Sequence, residues 1–285
     1  MDQPTTLPPA AAAPEPSYVL PADGSTFDTP FDINLIGLWT LYRKEVWRFW
    51  KVATQTVMAP VVSTLVFLAV FALALHRADT RIGGLPFLEF LAPGLIMMAI
   101  VQNAFANTSS SLVIAKIQGN IVDYLMPPLG PGELLFGLIM GGITRGVVVG
   151  LAVWLCMLPF VPLVPLHPLL IGYYAVAASL MLSLLGYLGG LWAEKFDQLA
   201  AVTNFVITPL SFLSGTFYSV QSLPDALRWL AHLNPFFYMI DGLRFAFTGH
   251  ADGSISAGMA LLAVVNVAMW LWAYRLTRRG YRLKA

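Results

Sequence analysis

Apolar residues are concentrated in six runs, each close to the roughly 20 residues that an α-helix needs to cross a bilayer. Two of the runs contain Pro60 and the pair Pro93-Gly94, which would break a soluble helix but are tolerated in membrane helices. Shorter polar segments separate the runs. The pattern predicts an all-α integral membrane fold with six transmembrane helices near 54–75, 87–109, 133–158, 168–192, 199–218 and 255–275.

A different pattern precedes the first run. Between 31 and 51, apolar residues recur at helical spacing, while Arg43, Lys44, Arg48 and Lys51 collect on the other side. A basic face bordered by Trp is typical of a helix that lies among lipid headgroups. We therefore predict an N-terminal interfacial amphipathic helix over 31–51, with its apolar face at Phe31, Leu35, Leu38, Trp39, Tyr42, Val46, Phe49 and Trp50.

Residues 1–30 contain seven prolines, four acidic residues and no Lys or Arg. Such a segment buries too little apolar surface to fold by itself. We predict a disordered, Pro/Ala-rich cytoplasmic tail, followed by one transmembrane domain over 31–285.

Composition supports the membrane assignment. The chain is 58% hydrophobic and 11% charged, with a mean hydropathy of +0.72, whereas soluble domains carry about 25% charged residues. The net charge of +1 argues against a nucleic-acid partner. The lipid bilayer is thus the first partner that the sequence indicates.

The distribution of Lys and Arg predicts the orientation. With a cytoplasmic N-terminus, eleven of the sixteen basic residues fall in inner segments, four fall in outer segments, and Arg145 lies inside the third run. Cytoplasmic loops carry the excess of Lys and Arg. Both termini are therefore predicted to be cytoplasmic.

This orientation constrains the segment 222–247, because a single extra crossing would place the basic C-terminus outside. Ser222, Pro224 and Asp225 indicate a helix start with a capping box, and Asn234-Pro235 indicates its end. About ten residues reach only half of the hydrocarbon core. We predict an extracytoplasmic re-entrant helical hairpin, with one apolar stripe at Leu223, Leu227, Leu230 and Leu233.

A second short apolar segment follows in the hairpin, and Asp241 and Arg244 come directly after it. These two residues are spaced i,i+3 on a helix, so their side chains can pair.

The segment AKIQGNIVDYLMPPLGPG, between the second and third runs, is long for a connecting loop, and long loops are often functional. Ile117, Ile121, Tyr124 and Leu125 form a short apolar stripe beside Asp123. One lysine is too few for a helix that lies on headgroups. The pattern favours a small amphipathic helix that docks in a groove of another protein.

Polar residues inside the runs form another set, with Asn103 and Asn107 in the second run and Asn204 and Thr208 in the fifth. Hydrogen bonding between helices is the usual role of such residues. The alternative is a path for an amphipathic substrate, lined by Asn103, Asn107, Asn204, Thr208, Phe212 and Phe217.

Arg145 either extends towards the inner interface or meets an anionic headgroup or a partner's carboxylate. Gly142, Gly146 and Gly150 follow one another at four-residue spacing on the same helix. Small residues at this spacing let helices approach closely. They predict a packing seam.

The source of energy is the next question. A phosphate-binding loop of the Walker type needs Gly-Lys followed by Ser or Thr, and no lysine here follows a glycine. We expect no cofactor in this chain. Two alternatives stay open: a stand-alone secondary transporter or channel, and an intramembrane hydrolase that pairs Ser211 or Ser214 with His232 or His250.

Two stretches, LAPGLIMMAIVQNAFANTSSSLVIAKIQGNIVDYLMPP and LSGTFYSVQSLPDALRWLAHLNPFFYMIDGLR, resemble the ABC-2 type transport permeases, such as those that export nodulation factors and daunorubicin. The resemblance covers the chain from Phe31 to its end. It implies a homodimeric exporter subunit in the bacterial inner membrane, without enzymatic activity of its own. Each copy would bind a separate cytoplasmic ATPase chain, which holds ATP and Mg²⁺.

The resemblance also implies site residues. The loop after the second span would be the coupling helix, with ATPase coupling at Lys116, Ile121, Asp123, Tyr124 and Leu125. Asp123 stands where Glu is common in the family, and Tyr124 stands where Leu is usual. The outer hairpin would form an extracytoplasmic gate at Leu223, Leu227, Trp229, Leu230, Phe236, Tyr238, Asp241 and Arg244.

Overall fold

The computed structural model describes residues 34–75 and 81–282, which are mostly helical. The predicted tail over 1–30, the first residues of the predicted interfacial helix, and Arg77 and Lys284 lie outside the described residues. Along the chain, the elements are α1 (Leu35–Trp50), α2 (Ala53–Leu75), β1 (Arg81–Ile82), β2 (Leu85–Pro86), α3 (Phe87–Ile117), α4 (Val122–Leu125), α5 (Pro131–Met157), α6 (Pro168–Trp192), α7 (Phe196–Val202), a π-helical turn (Thr203–Ile207), α8 (Thr208–Leu213), a 3-10 turn (Val220–Ser222), α9 (Asp225–Leu233), α10 (Pro235–Thr248) and α11 (Ile255–Arg278).

Within the described residues, six helices are long and apolar enough to cross a membrane, which confirms the predicted number. They are α2, α3, α5, α6, the composite helix over Phe196–Leu213, and α11. Helix α3 continues to Ile117, beyond the predicted limit of the second span near 109. The helix of the fifth span stops at Leu213, before the predicted limit near 218. Gly215 follows in a left-handed turn with φ 74°.

A two-residue β-hairpin joins the first two spans, which the all-α prediction did not include. Strands β1 and β2 are antiparallel, with Arg81 opposite Pro86 and Ile82 opposite Leu85. The turn consists of two glycines with φ of 59° and 82°. Two consecutive positive φ angles suit the right-handed twist of a hairpin and favour Gly at both positions.

Helix α3 lies at the centre of the fold and is mostly buried, packed along α5 and α6. Glycines permit the close approach. A Cβ on Gly186 of α6 would lie 2.6 Å from the carbonyl oxygen of Phe105, and one on Gly146 of α5 would lie 3.1 Å from that of Ile100. The predicted seam on α5 is thus confirmed: Gly142, Gly146 and Gly150 all face α3 or α6.

Helix α1 packs lengthwise along the first half of α5, where Leu41 fills the space over Gly137 and Glu45 the space over Gly141. Its buried face consists of Leu41, Glu45 and Phe49. Of the predicted apolar face, Phe49 is buried within the chain, whereas Leu35, Trp39 and Trp50 are exposed on its surface. The exposed tryptophans lie among basic residues, and a location of this surface among headgroups stays a prediction.

The fifth span is irregular near its middle. The N–H of Thr208 donates to the carbonyl of Thr203, five residues back. This wider turn directly precedes Pro209, whose ring lacks an N–H and presses on the preceding turn. Single π-helical turns of this kind relieve such crowding and are frequent at functional sites.

Candidate functional site

The predicted coupling segment forms only one helical turn, α4, rather than a continuous amphipathic helix. Ile121 and Tyr124 are buried within the chain, whereas Asp123, Leu125 and Ile117 are exposed. The predicted single apolar stripe is therefore wrong. The surface that another protein could reach is formed by Val122, Asp123, Leu125 and Met126.

The buried side of α4 meets a carboxylate that the sequence analysis did not single out. Glu45 of α1 has no exposed surface. Its Oε1 accepts hydrogen bonds from the hydroxyls of Ser111 (2.8 Å) and Tyr124 (3.2 Å). Its Oε2 lies 3.0 Å from Nη2 of Arg48. One carboxylate thus joins α1, the C-terminal part of α3, and α4; we call Glu45, Arg48, Ser111 and Tyr124 the inner cluster, after the side of the membrane on which the sequence predicts it.

Arg48 extends the inner cluster along α3. Its Nη2 donates to the backbone oxygen (2.7 Å) and to Oδ1 (3.0 Å) of Asn107, and its Nη1 donates to Ser110 Oγ (3.2 Å). Burial, together with the neighbouring Glu45 carboxylate, raises the pKa of Tyr124 to about 12. Its phenol therefore stays protonated at neutral pH and can donate to Glu45.

Lys116, predicted to contact an ATPase, has partners inside the chain. Its Nζ donates to the carbonyl oxygens of Gly190 (2.9 Å) and Leu191 (2.5 Å) at the end of α6. A lysine in this position satisfies the carbonyls that a helix end leaves unpaired. The geometry therefore gives Lys116 a capping role.

The four predicted polar path residues do not share one set of contacts. Asn103 accepts a hydrogen bond at Oδ1 from Nη2 of Arg145 (3.1 Å), and Asn107 binds Arg48, so both face neighbouring helices. Asn204 is exposed on the π-helical turn, and Thr208 is half-buried. For the two asparagines of α3, the interhelical role is the one that the contacts support.

Of the two predicted aromatic path residues, Phe212 lies in the last turn of α8 and Phe217 lies beyond its end. Phe212 and Phe217 stack with ring centroids 5.4 Å apart. Phe217 also lies 5.5 Å from Phe71 of α2, which is 5.8 Å from Phe87 at the start of α3. These rings join the first, second and fifth spans at one end of the bundle.

The predicted outer hairpin consists of α9 and α10, which Asn234 separates. Asn234 accepts the N–H of Phe236 at Oδ1 (3.0 Å), and Pro235 begins α10. The predicted capping box is wrong, because the hydroxyl of Ser222 donates to the carbonyl of Ser219 and α9 begins only at Asp225.

The predicted gate residues differ in burial. Trp229 and Leu230 are exposed, Phe236 is buried, and Leu223 and Tyr238 are half-buried. Exposed apolar side chains on α9 mean that the predicted leucine stripe does not pack inside this chain. The side chain of Leu227 lies outside the described residues.

Asp241 and Arg244 form the predicted pair, with Nη1 of the arginine 3.7 Å from Oδ1 of the aspartate and both side chains almost fully buried. Arg244 also donates from Nε to the carbonyl of Phe90 (3.1 Å) and from Nη2 to that of Gly215 (2.6 Å). The face of the Phe90 ring lies 3.8 Å from its guanidinium carbon. Arg244 therefore ties α10 to the first turn of α3 and to the turn after the fifth span.

Asp241 continues this network towards α11. Its carboxylate accepts the N–H groups of Asp252 (2.8 Å) and Gly253 (2.9 Å). Asp252 in turn accepts from the hydroxyl of Ser219 (2.8 Å) and the N–H of Val220 (3.0 Å). We call Asp241, Arg244 and Asp252 the outer cluster.

The described contacts do not assemble the predicted serine–histidine pairs. The hydroxyls of Ser211 and Ser214 donate to the carbonyls of Ile207 and Leu210. The ring of His232 packs edge-on against Phe237, and His250 contacts Asp252. Neither hydroxyl is oriented towards an imidazole that could remove its proton.

The inner cluster could have been identified from the sequence by a polar residue at helical spacing from apolar residues on the same helix face. Glu45 lies four residues from Leu41 and four from Phe49, on the buried face of α1. A buried carboxylate requires partners, so this spacing was the available signal. No comparable signal in the sequence indicated that Arg244 would reach two carbonyls distant along the chain.

Six candidate spans, a short helix between the second and third that is exposed on one side, and a helical hairpin before the last define a multi-pass helical membrane protein. Residues 37–248 match the ABC-2 type transporter family, and the chain belongs to that family. This confirms the resemblance seen in the sequence.

Relatives agree with this assignment. The chain is 36% identical over 253 residues to the inner membrane transport permease YadH of Escherichia coli (strain K12), covering 88% of this chain and 98% of the relative. It is 20% identical over 258 residues to Nodulation protein J of Sinorhizobium fredii (strain NBRC 101917 / NGR234), covering 86% and 93%. Nodulation protein J of Rhizobium leguminosarum bv. viciae is 22% identical over 260 residues, covering 87% and 95%.

Proposed function

We propose that this chain is the membrane subunit of an ATP-driven exporter in the bacterial inner membrane. Two copies form the membrane part, and each binds one copy of a cytoplasmic ATPase chain that holds ATP and Mg²⁺. Membership in the ABC-2 family supports this assembly. The substrate is amphipathic, such as a lipid-like molecule, a drug or a glycan on a lipid carrier, because the candidate path is apolar, aromatic and weakly polar.

Both termini are cytoplasmic in this proposal. The exposed Trp residues and basic side chains of α1 lie at the inner headgroups, and α4 faces the ATPase. The α9–α10 hairpin enters the membrane from the outer side without crossing it, since α9 has only nine residues and reaches about half of the hydrocarbon core.

The observation that carries the proposal is the two-sided character of α4. Asp123 is exposed and can meet a partner, while the adjacent Tyr124 is buried and bound to Glu45. A displacement of the exposed side of α4 is therefore transmitted to Glu45. The carboxylate of Glu45 also binds Ser111 of α3 and Arg48 of α1. Closure of the ATPase dimer moves these helices, and the gate formed by the hairpin opens.

Co-purification tests the assembly. The chain is expressed with the ATPase encoded beside it, and a tag on the permease is used for isolation. Retention of the ATPase in equal amount supports the proposal. A complete failure to retain any ATPase, with transport that follows a proton gradient instead, would favour the secondary transporter.

Asp123→Lys tests the docking surface. The side chain is exposed, so the folded amount should not change, whereas reversal of charge at a docking surface disrupts binding. Substrate-stimulated ATPase activity of the reconstituted complex should be lost. Asp197→Lys, at the start of α7, is the matched control and should retain it; equal activity in both variants would remove Asp123 from the coupling role.

A further inference from the structure

Arg145, in the middle of α5, is a cation without a carboxylate partner in the described part of the chain. Its Nη2 donates to Asn103 Oδ1 (3.1 Å). Its Nε is buried and has no hydrogen-bond partner there. A charge within a membrane-spanning helix is costly unless it is paired. The compensating charge must therefore come from outside these residues.

A second guanidinium, that of Arg48, is held about one helical turn further along α3. Asn103 and Asn107 lie one turn apart on the same side of α3, and each orients an arginine from a different helix, Arg145 of α5 and Arg48 of α1. Glu45 neutralises only Arg48. The pair keeps a net positive charge, and the amide nitrogen of Asn107 is buried without a hydrogen-bond partner in this part of the chain.

The depth of this pair can be read along α3. The helix begins at Phe87, and twenty residues further, at Asn107, it has risen about 30 Å, which is the thickness of the hydrocarbon core. With Phe87 at the outer edge of the core, as the proposed orientation requires, Arg48 lies at its inner edge. Arg145 lies about one turn, roughly 5 Å, further in, within reach of the headgroup region for a long basic side chain.

We infer that Arg145 forms a binding site for a phosphate group, presented by the headgroup of an anionic amphiphile in the inner leaflet. The nearby Arg48 is already bound by Glu45, Ser110 and Asn107. Arg145 suits this ligand because its Nε has no hydrogen-bond partner in the described part of the chain, and a planar guanidinium donates two parallel hydrogen bonds to phosphate oxygens. A carboxylate from a second copy fits less well, since it would have to enter the edge of the hydrocarbon core itself. The choice of leaflet rests on the orientation in the proposed function; the site itself requires no ATPase.

Binding to the purified chain in neutral detergent tests the inference. The probe is dioctanoyl phosphatidic acid, with dioctanoylglycerol as the same amphiphile without phosphate, and bound molecules are counted by native mass spectrometry. We expect saturable binding of phosphatidic acid and not of dioctanoylglycerol. Arg145→Gln should weaken it about tenfold or more, the amount expected for losing a charged hydrogen bond.

Arg43→Gln is the matched control, because it removes the same charge from an exposed position on α1; it should bind like the unmodified chain. Arg145→Lys keeps the positive charge but lacks the planar guanidinium, so it should bind phosphatidic acid with intermediate strength. This variant tests the site if Arg145→Gln does not fold. Inorganic phosphate is then added as a competitor of phosphatidic acid. If it does not displace the lipid, the site binds the headgroup of a lipid; if it displaces the lipid equally well, the site binds the free anion. Both results support a phosphate site.

Equal binding of phosphatidic acid to all variants would overturn the inference. A shift of Arg145→Gln from dimer to monomer with unchanged lipid binding would also overturn it, in favour of a carboxylate from the second copy. Failure of ATPase co-purification would overturn only the exporter proposal, because no step of the binding experiment uses the ATPase.

Discussion

Replacing Arg244 by Ala should strongly destabilise the outer end of the bundle. Arg244 has no exposed surface. It donates to the carbonyls of Phe90 and Gly215 and lies 3.7 Å from Asp241. The substitution leaves two buried carbonyl groups with one donor fewer and leaves the Asp241 carboxylate without its cation.

The magnitude follows from these losses. Removing one partner of a buried ion pair costs about 3–5 kcal/mol, because the other charge remains buried and unpaired. A chain of this size loses about 2–4 °C of Tm for each kcal/mol. Arg244→Ala should therefore lower the midpoint by roughly 6–20 °C. Arg244→Lys keeps the charge but cannot reach both carbonyls in a fork geometry, so its loss should be intermediate.

The assay is thermal unfolding in detergent, followed by tryptophan fluorescence at a fixed heating rate, because unfolding of membrane proteins is often irreversible. Arg279→Ala is the control; it removes an exposed arginine after α11 and should shift the midpoint by about 2 °C or less. Asp241→Asn combined with Arg244→Ala should cost less than the sum of the single losses. An Arg244→Ala shift no larger than that of Arg279→Ala would refute the structural role of the outer cluster.

Three further predictions concern the inner end and the packing of the bundle. Glu45→Gln should lower substrate-stimulated ATPase activity about tenfold or more, because it removes the charge that binds Arg48; exposed Glu194→Gln is the control, and equal loss in both would contradict the role of the inner cluster. Gly142→Ala should cost about 1–3 kcal/mol in thermal unfolding, because the added Cβ meets two hydroxyls, whereas Gly172→Ala on α6 meets nothing and should be neutral; no difference between them would contradict the seam. Asn34→Ala should cost about 1 kcal/mol in the same assay, since Asn34 Oδ1 accepts the N–H of Gly37 at 2.8 Å; an unchanged midpoint would remove this cap.

The spans, the glycine seam and the Asp241–Arg244 pair could be predicted because each depends on local spacing. A run of about twenty apolar residues, three glycines at four-residue spacing, or opposite charges at i,i+3 carries its consequence within one helix. The helix ends were less predictable. In the last turn of α3, the ammonium of Lys116 binds carbonyls of α6, and this contact joins residues more than seventy positions apart.

The inner cluster could not be predicted in full for the same reason. The helical spacing of Tyr124 with Ile121 and Leu125 predicts that it shares an apolar stripe that docks on another protein. The structure buries it instead, since Glu45 of a distant helix offers a carboxylate. A spacing argument identifies which residues share a face, but it does not determine which face the neighbouring helices cover.

Both polar clusters attach to the same helix, which limits how the two ends of the bundle can be coupled. The inner cluster binds α3 at Ser111, and the outer cluster binds it at Phe90, about 30 Å apart along the axis. Between these points, glycines of α5 and α6 hold α3 in close contact over several turns, so it should move as a rigid body. A displacement of α4 that reaches Glu45 therefore has two possible outcomes. It either shifts α3 as a whole, which strains the hydrogen bond between Arg244 and the carbonyl of Phe90, or it breaks the hydrogen bonds of Glu45. In the proposed exporter, coupling between the ATPase and the hairpin requires the first of these, so a variant that breaks only the hydrogen bonds of Glu45 should leave the outer cluster intact and the transporter uncoupled.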